Sequence, residues 1–413
     1  MLSPYRVLDL TRSRGHLCGQ ILGDLGADVV QVEPPGGAPT RRRGPFVDDA
    51  PHPDRSLEWW AVARNKRGVT LDLDRARGRE LLLRLVAAAD FLIESETPGV
   101  QAARGLDYAA LAAANPGLVY VSITPFGQTG PKAAWADSDL VLLAAGGPLR
   151  LTGDEDRAPL RVGVPQAYAH AAAEAAGAAL VAHHERARSG RGQHVDVSAQ
   201  QAVTLATQAY LLSSAVGFPD ARRISGGAGM GPLSVRFVHP AADGHVSITF
   251  LFGSSVGPFT RRLMHWVAEE GGCDAATRDK DWVRFFDQLF TGEETFAELV
   301  RVQEAVAGFT RTKTKAELLR AALERDLLIA PVATTREVVE NAQLAARDYW
   351  RTLAHPELDR AVRYPGPFAR PSRTPLRYRR RPPMVGEHNR EILGGELGLD
   401  DAELARLAAG GVI

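Results

Sequence analysis

Asp137 and Asp139 stand two residues apart, just ahead of an apolar run with helical spacing. Carboxylates this close could share general acid–base work. They could equally cap the helix, because an Asp oxygen accepts from the free N–H groups of a first turn. His183, His184 and Glu185 are residue types that bind metals, but Arg186 and Arg188 follow at once. A solvated helix C-terminus, where the dipole favours cations, is the better reading. The run Gly226-Gly-Ala-Gly-Met-Gly231 looks like a phosphate loop, yet it follows no clear strand and lacks both the Walker Lys-Ser/Thr and the Rossmann spacing. Glycines open φ/ψ space, so a mobile loop over a site is expected there. Two basic groups, Arg41-Arg42-Arg43 and Asn65-Lys66-Arg67, could hold phosphates through charge-assisted hydrogen bonds or could be solvated surface. The basic stretch 377–381 lies among prolines and reads as solvated linker. Residue chemistry alone reaches a soluble α/β enzyme with an anionic ligand and stops there.

The elements that would position these groups alternate in type. Short β-rich runs at 5–10, 28–33, 69–73, 90–94 and 118–124 are bounded by Gly, Pro, Asn or charge. Helical periodicity lies between them, as at 74–89. Strand–helix alternation predicts a largely parallel sheet covered on both faces. An Ala-rich helix is expected over 164–188, then a strand at 193–198 and a second Ala-rich helix. Thr314 with Glu317 and Thr334 with Glu337 are capping boxes that mark helix starts. Segment 355–385, rich in Pro and Arg, reads as an extended linker.

At 413 residues the chain is too long for one ordinary core, which predicts two domains. Its 49 Lys plus Arg equal its 49 Asp plus Glu. A balanced charge argues against nucleic acid or an anionic membrane as partner. No apolar run is long enough to span a bilayer, and the first residues lack a basic n-region and cleavage site. Only Cys18 and Cys273 occur, so no disulfide framework is expected and a reducing cytoplasm fits.

Longer segments in order carry more. YRVLDLT (from Tyr5), LGADVVQVEPP (from Leu25), ARNKRGVTLDLD (from Ala63) and GLVYVSITPFGQTGP (from Gly117) are followed by SGRGQHVDVS (from Ser189), ADGHVSI (from Ala242) and VGEHNREILGGELGL (from Val385). This ordered set resembles the class III CoA-transferases, the CaiB/BaiF family of formyl-CoA transferases and acyl-CoA racemases. The resemblance implies an α/β fold: a Rossmann-like large domain with a parallel sheet, a smaller inserted α+β domain, and two chains interlocked as a dimer. On this chain it implies a large-domain part at 1–215, a small domain at 225–330, and a linker with a returning C-terminal part at 335–413. It implies coenzyme A as the acyl-carrying substrate, no metal, and Arg41, Lys66, Arg67 and Arg104 as contacts to its phosphates.

The chain departs from the family where the chemistry is. Transferases of this kind place a nucleophilic Asp in a G-x-P-x-x-D stretch at the start of the long helix. Here Gly163-Val164-Pro165-Gln166-Ala167-Tyr168 puts Tyr168 there. A phenol, with pKa about 10, cannot carry CoA as a carboxyl thioester. Racemase members use a His in G-H-D. Here Asp137-Ser138-Asp139 keeps only Asp139 and puts Ser138 at the His. Near the N-terminus, Arg12-Ser13-Arg14-Gly15-His16 replaces an A-G-P run, so Arg14 or His16 could face the acyl pocket, or the helix start could simply be rearranged. His170 and Glu174 lie on the same long helix but point to other faces. Three readings follow. The chain is a transferase subunit paired with an Asp-bearing paralogue; or an acyl-CoA isomerase, racemase or lyase using Tyr168, His170 or Asp139 as acid or base; or a non-catalytic CoA-thioester binder.

Overall fold

Six short strands form one parallel sheet: β1 (Arg6–Asp9), β2 (Asp28–Glu33), β3 (Lys66–Thr70), β4 (Phe91–Glu94), β5 (Val119–Thr124) and β6 (His194–Ser198), in the order β3-β2-β1-β4-β5-β6. The computed structural model describes residues 1–218, 223–230 and 232–413. β4 and β5 are buried along their whole length, which is why they read as near-continuous apolar runs. Helices α1 (His16–Asp24), α2 (Leu57–Ala63), α3 (Ala76–Val86), α4 (Val100–Ala103), α5 (Tyr108–Ala114), α6 (Asp139–Gly146), α7 (Ala167–Ser189) and α8 (Ala199–Thr204) connect and follow the strands.

The strand expected at 69–73 begins earlier, at Lys66, because two cations lie inside it and are neutralised by carboxylates. A hydrophobic pattern does not register buried charge. The long helix starts at Ala167, two residues after Pro165, whose ring cannot continue a helix interior. Its alanines 171, 172, 175, 176 and 179 are buried, and small side chains let α7 lie close on the sheet. α1 packs closer still on β1: a Cβ at Gly19 would fall 2.0 Å from Asp9 Oδ2, so only glycine fits.

The chain divides into two compact units. One comprises Met1–Gly146, Gly163–Ala206 and Gln343–Ile413; the other comprises Gly147–Val162 and Thr207–Ala342. In the first, the C-terminal segment is not a free linker. Arg351–His355 and Arg360–Tyr364 form a hairpin, the Pro383 carbonyl accepts from Trp59 Nε1 at 3.2 Å, and the Arg379 side chain bonds the Gly23 and Ala27 carbonyls. The expected extended linker holds for 365–380, which forms no strand or helix and is mostly exposed, but its ends do not: the hairpin at 351–364 and the segment around Pro383 are packed, because backbone carbonyls and arginines find partners that hydropathy does not display.

The second unit holds an antiparallel sheet of Val238–Ala241, Gly244–Ile248 and Ile329–Pro331. Helices cover it around a core of Phe250, Trp266, Trp282, Phe285 and Phe309. Both capping boxes form as expected, at Thr314 and Thr334. The glycine run is strand rather than loop: Gly227–Met230 pairs antiparallel with Leu233–Arg236. Gly231 lies outside the described residues.

Candidate active site

Strand order reverses between β1 and β4, and in open parallel sheets ligands bind outside the carboxyl ends at that switch. A narrow crevice opens there, with Arg12, Asp72, Asp74, Glu96 and Arg104 on its walls. Arg104 is the cation best placed in it: Nη2 donates to Asp74 Oδ1 at 2.7 Å and Nη1 to Glu96 Oε1 at 3.2 Å. Asp74 is mostly exposed, so this pairing is solvent-facing. Arg12 also reaches Glu96, at 3.3 Å.

The other three cations singled out by sequence sit elsewhere. Lys66 has 0% side-chain exposure and donates to Asp9 Oδ2 at 2.8 Å, Gln31 Oε1 at 3.0 Å and the His16 carbonyl at 3.0 Å. Arg41 has 0% exposure too. It forks onto Glu33 at 2.6 and 2.7 Å, donates to Asp54 at 2.9 Å, and stacks 3.9 Å from the Trp59 ring centroid. Every formal charge in these pairs is matched, and a phosphate reaches neither cation unless a carboxylate leaves. Arg67 ties Asp28, at the amino end of β2, to Glu391 and Glu396. The Lys66 network fixes the loop after β1: Asp9 Oδ1 accepts from Thr11 N and Oγ1 at 3.0 and 2.6 Å, and Gln31 holds the Asp9 and Thr11 carbonyls. That loop carries Arg12 and Arg14.

His16 is buried behind the loop, with Nδ1 2.8 Å from Thr11 Oγ1 and Nε2 3.1 Å from Thr40 Oγ1. Burial, helped by the Lys66 charge, lowers its pKa to about 4, so it is neutral and structural. Of Arg14 and His16, only Arg14 reaches a cavity. It lines a cavity of about 380 Å³ with Pro98, Pro125, Trp135 and Asp137.

At the start of α7 three side chains meet. The Tyr168 hydroxyl donates to Asp137 Oδ2, and Arg14 Nη2 donates to Asp137 Oδ1. Burial, then the bond to Asp137, pushes the Tyr168 phenol well above its usual range, so it stays protonated. The α7 N-terminus is capped across space by Asp139, whose Oδ1 accepts from Gln166 N at 2.6 Å and Ala167 N at 2.8 Å. Ser138 Oγ accepts from Val141 N at 3.2 Å in the first turn of α6. The Asp137/Asp139 pair is therefore split, one aimed at Tyr168 and the other at the backbone. His170 and Glu174 are exposed on α7 and do not join the cluster.

Sequence reasoning passed over Glu94, the last residue of β4. It is 2% exposed, accepts from Glu96 N at 2.7 Å and from the Ser122 hydroxyl, and lines a cavity of about 320 Å³. Ser122 Oγ lies 2.9 Å from His194 Nε2. Burial raises the Glu94 pKa to about 7, with Glu96 and Asp196 adding repulsion. The signal was visible as an acid ending an apolar strand. Among the described residues no group of three or more His, Cys, Asp or Glu could hold a metal ion. His183 faces Tyr5 edge-on at 4.3 Å instead.

These features can be set beside known proteins. A succinyl-CoA:(R)-benzylsuccinate CoA-transferase subunit, BbsE, from Thauera aromatica is 35% identical over 95% of this chain and 93% of its own. A succinyl-CoA–D-citramalate CoA-transferase from Chloroflexus aurantiacus is 33% identical over 100% of this chain and 98% of its own. A crystal structure of a CAIB/BAIF family protein from Brucella suis superposes with TM-score 0.81 at 28% identity, covering 95% of this chain and 98% of that one. The family model of CoA-transferase family III matches residues 2–389, and the chain belongs to that family.

Proposed function

We propose that this chain is the non-nucleophilic subunit of a class III CoA-transferase, working with a paralogous chain that supplies the catalytic Asp. The observation that carries the reading is Tyr168. It stands in the first turn of α7, after Gly163-Val164-Pro165, where the family's resemblance puts the carboxylate, and it is a protonated phenol bonded to Asp137. Covalent relay needs a carboxylate that becomes first an anhydride and then a thioester. A phenol does neither step. That a relative is named as a subunit supports pairing with a second chain.

Coenzyme A would lie along the switch-point crevice, its phosphates against Arg104 and Arg12, the two cations there with solvent access. Arg41, Lys66 and Arg67 would act behind them by holding the loops in place. The assembly would be an interlocked dimer, built with the paralogue or with a second copy, and the acyl acceptor a carboxylic acid.

The test is transfer itself. The purified homomer, given an acyl-CoA and an acceptor acid, should show no CoA transfer, and borohydride or hydroxylamine should trap nothing on residue 168. Tyr168→Asp should transfer slowly, since a carboxylate misplaced by about 1 Å can lose on the order of 100-fold in rate. Brisk transfer by the unmodified homomer would overturn the reading.

A further inference from the structure

The cavity of about 320 Å³ against β4 and β5 plays no part in the proposed transfer. Its walls hold acceptors and rings. Glu94 is 2% exposed there. A carboxylate has about four acceptor positions, and Glu96 N and the Ser122 hydroxyl take two of them. Gln101, also on the wall, is 7% exposed, and its Oε1 has no hydrogen-bond partner among the described residues. A buried acceptor left without a donor costs free energy. The two tyrosines of the wall do not supply donors, because the Tyr108 hydroxyl donates to the Gly192 carbonyl at 3.1 Å and the Tyr120 hydroxyl to the Leu106 carbonyl at 3.2 Å. Their rings pack with His194: Tyr108 stacks on it with centroids 5.8 Å apart, and Tyr120 meets it edge-on at 5.3 Å.

The charge of the cavity has one sign. No Lys or Arg is among the described residues that line it, and Asp107 adds a second carboxylate. Glu96 and Asp196 repel Glu94 from nearby. Burial lowers the His194 pKa, so its imidazole is neutral. A metal ion lacks its ligands here, since no group of three or more His, Cys, Asp or Glu among the described residues is placed to hold one.

We infer that this cavity binds a planar organic cation, an amidinium or guanidinium, with Glu94 as its counter-ion and Gln101 Oε1 as a further acceptor. Such a group presents a fork of N–H donors that matches a carboxylate, is weakly hydrated, and stacks on aromatic rings. An ammonium is a strongly hydrated point charge and loses more on entering. Gln101 also borders the switch-point crevice, but the inference goes beyond the CoA reading and stands without it.

Benzamidinium and benzamide test it, because they share a shape and differ in charge. Both are titrated into the full chain at about pH 8, where Glu94 is ionised, and followed by ligand-observed NMR. Benzamidinium should bind more tightly by about tenfold or more, the scale of one charged hydrogen bond. Glu94→Gln should bring that ratio near one. Gln101→Met should weaken benzamidinium by a smaller factor and leave the ratio above one, and it keeps the inference testable if Glu94→Gln does not fold. Saturating benzamidinium should raise the melting temperature of the unmodified protein and not that of Glu94→Gln. The inference fails if the two probes bind alike, if benzamidinium shows no saturable binding at millimolar concentration, or if either variant binds it as tightly as the unmodified chain.

Discussion

On one side of the β1 loop, Lys66 and Arg41 are sealed from water, each saturated by carboxylates and carbonyls. On the other side Arg104 and Arg12 hold a pair of acids at the rim of the crevice, with solvent beside them. All four are cations next to acids, and in the sequence they look alike. The difference is burial. A buried ion pair costs desolvation that only its partner offsets, so its charge has no freedom to bind anything else. A rim pair is worth little to stability and can exchange its acid for a ligand phosphate at small cost.

The largest effect should come from breaking the sealed side. Lys66→Met removes the ammonium and leaves Asp9 buried with an unmatched charge, costing about 3–5 kcal/mol. Urea denaturation should show a midpoint far below that of the unmodified protein, or the variant should fail to accumulate in soluble form. Adding Asp9→Asn should recover part of the loss, because the orphaned charge goes with it. A Lys66→Met protein of normal stability that no longer binds CoA would place Lys66 on the ligand side and break the comparison.

Arg104→Ala should behave in the opposite way. Stability should move by about 1 kcal/mol or less, because the Asp74 end of its ion pairing is open to solvent even though Arg104 is itself only 15% exposed. CoA affinity should fall by roughly 1.5–3 kcal/mol, the cost of a lost charged hydrogen bond. The remaining binding should depend less on salt, since one screened charge pair has gone. An Arg104→Ala protein that binds CoA as tightly as the unmodified chain would leave the crevice without its proposed ligand.

The contrast explains what the sequence displayed. Strand β2 was legible to its end residues, and β1, β4 and β5 to within two, because apolar runs bounded by turn residues report burial directly. The capping boxes were legible because their chemistry is local. β3 was missed by three residues because its burial is ionic, and neither Asp9 nor Glu33 is near Lys66 or Arg41 by hydropathy. In the candidate site, Tyr168 was singled out by its place in a motif. Its partner Asp137 was seen only as half of an acidic pair, since Arg14 is 123 residues away. The cap that Asp139 gives to a different helix from its own could not be inferred from spacing.

Glu94 gives the smallest and sharpest test, because it is buried almost as deeply as Lys66 yet has no cation bonded to it among the described residues. Its neighbours are the Ser122 hydroxyl, the Glu96 backbone N–H, the charges of Glu96 and Asp196, and His194 beyond Ser122. Its pKa is raised from 4.5 to about 7, so the folded protein holds the proton that the unfolded chain releases. The stabilisation is therefore complete below about pH 4.5 and is lost as pH rises through about 7. Glu94→Gln keeps the first contact, its oxygen accepting from Glu96 N, and reverses the second, its amide donating to Ser122 Oγ, and it cannot ionise. The melting temperatures of variant and unmodified protein should coincide near pH 4.5 and separate as pH rises. The variant should be the more stable by a few degrees above about pH 7, with the difference then constant. Other titrating groups cancel in that difference, since both proteins share them. A difference that is flat with pH would mean that Glu94 finds a cation in solution, and a variant destabilised at every pH would mean that its carboxylate is matched after all, as Asp9 and Glu33 are.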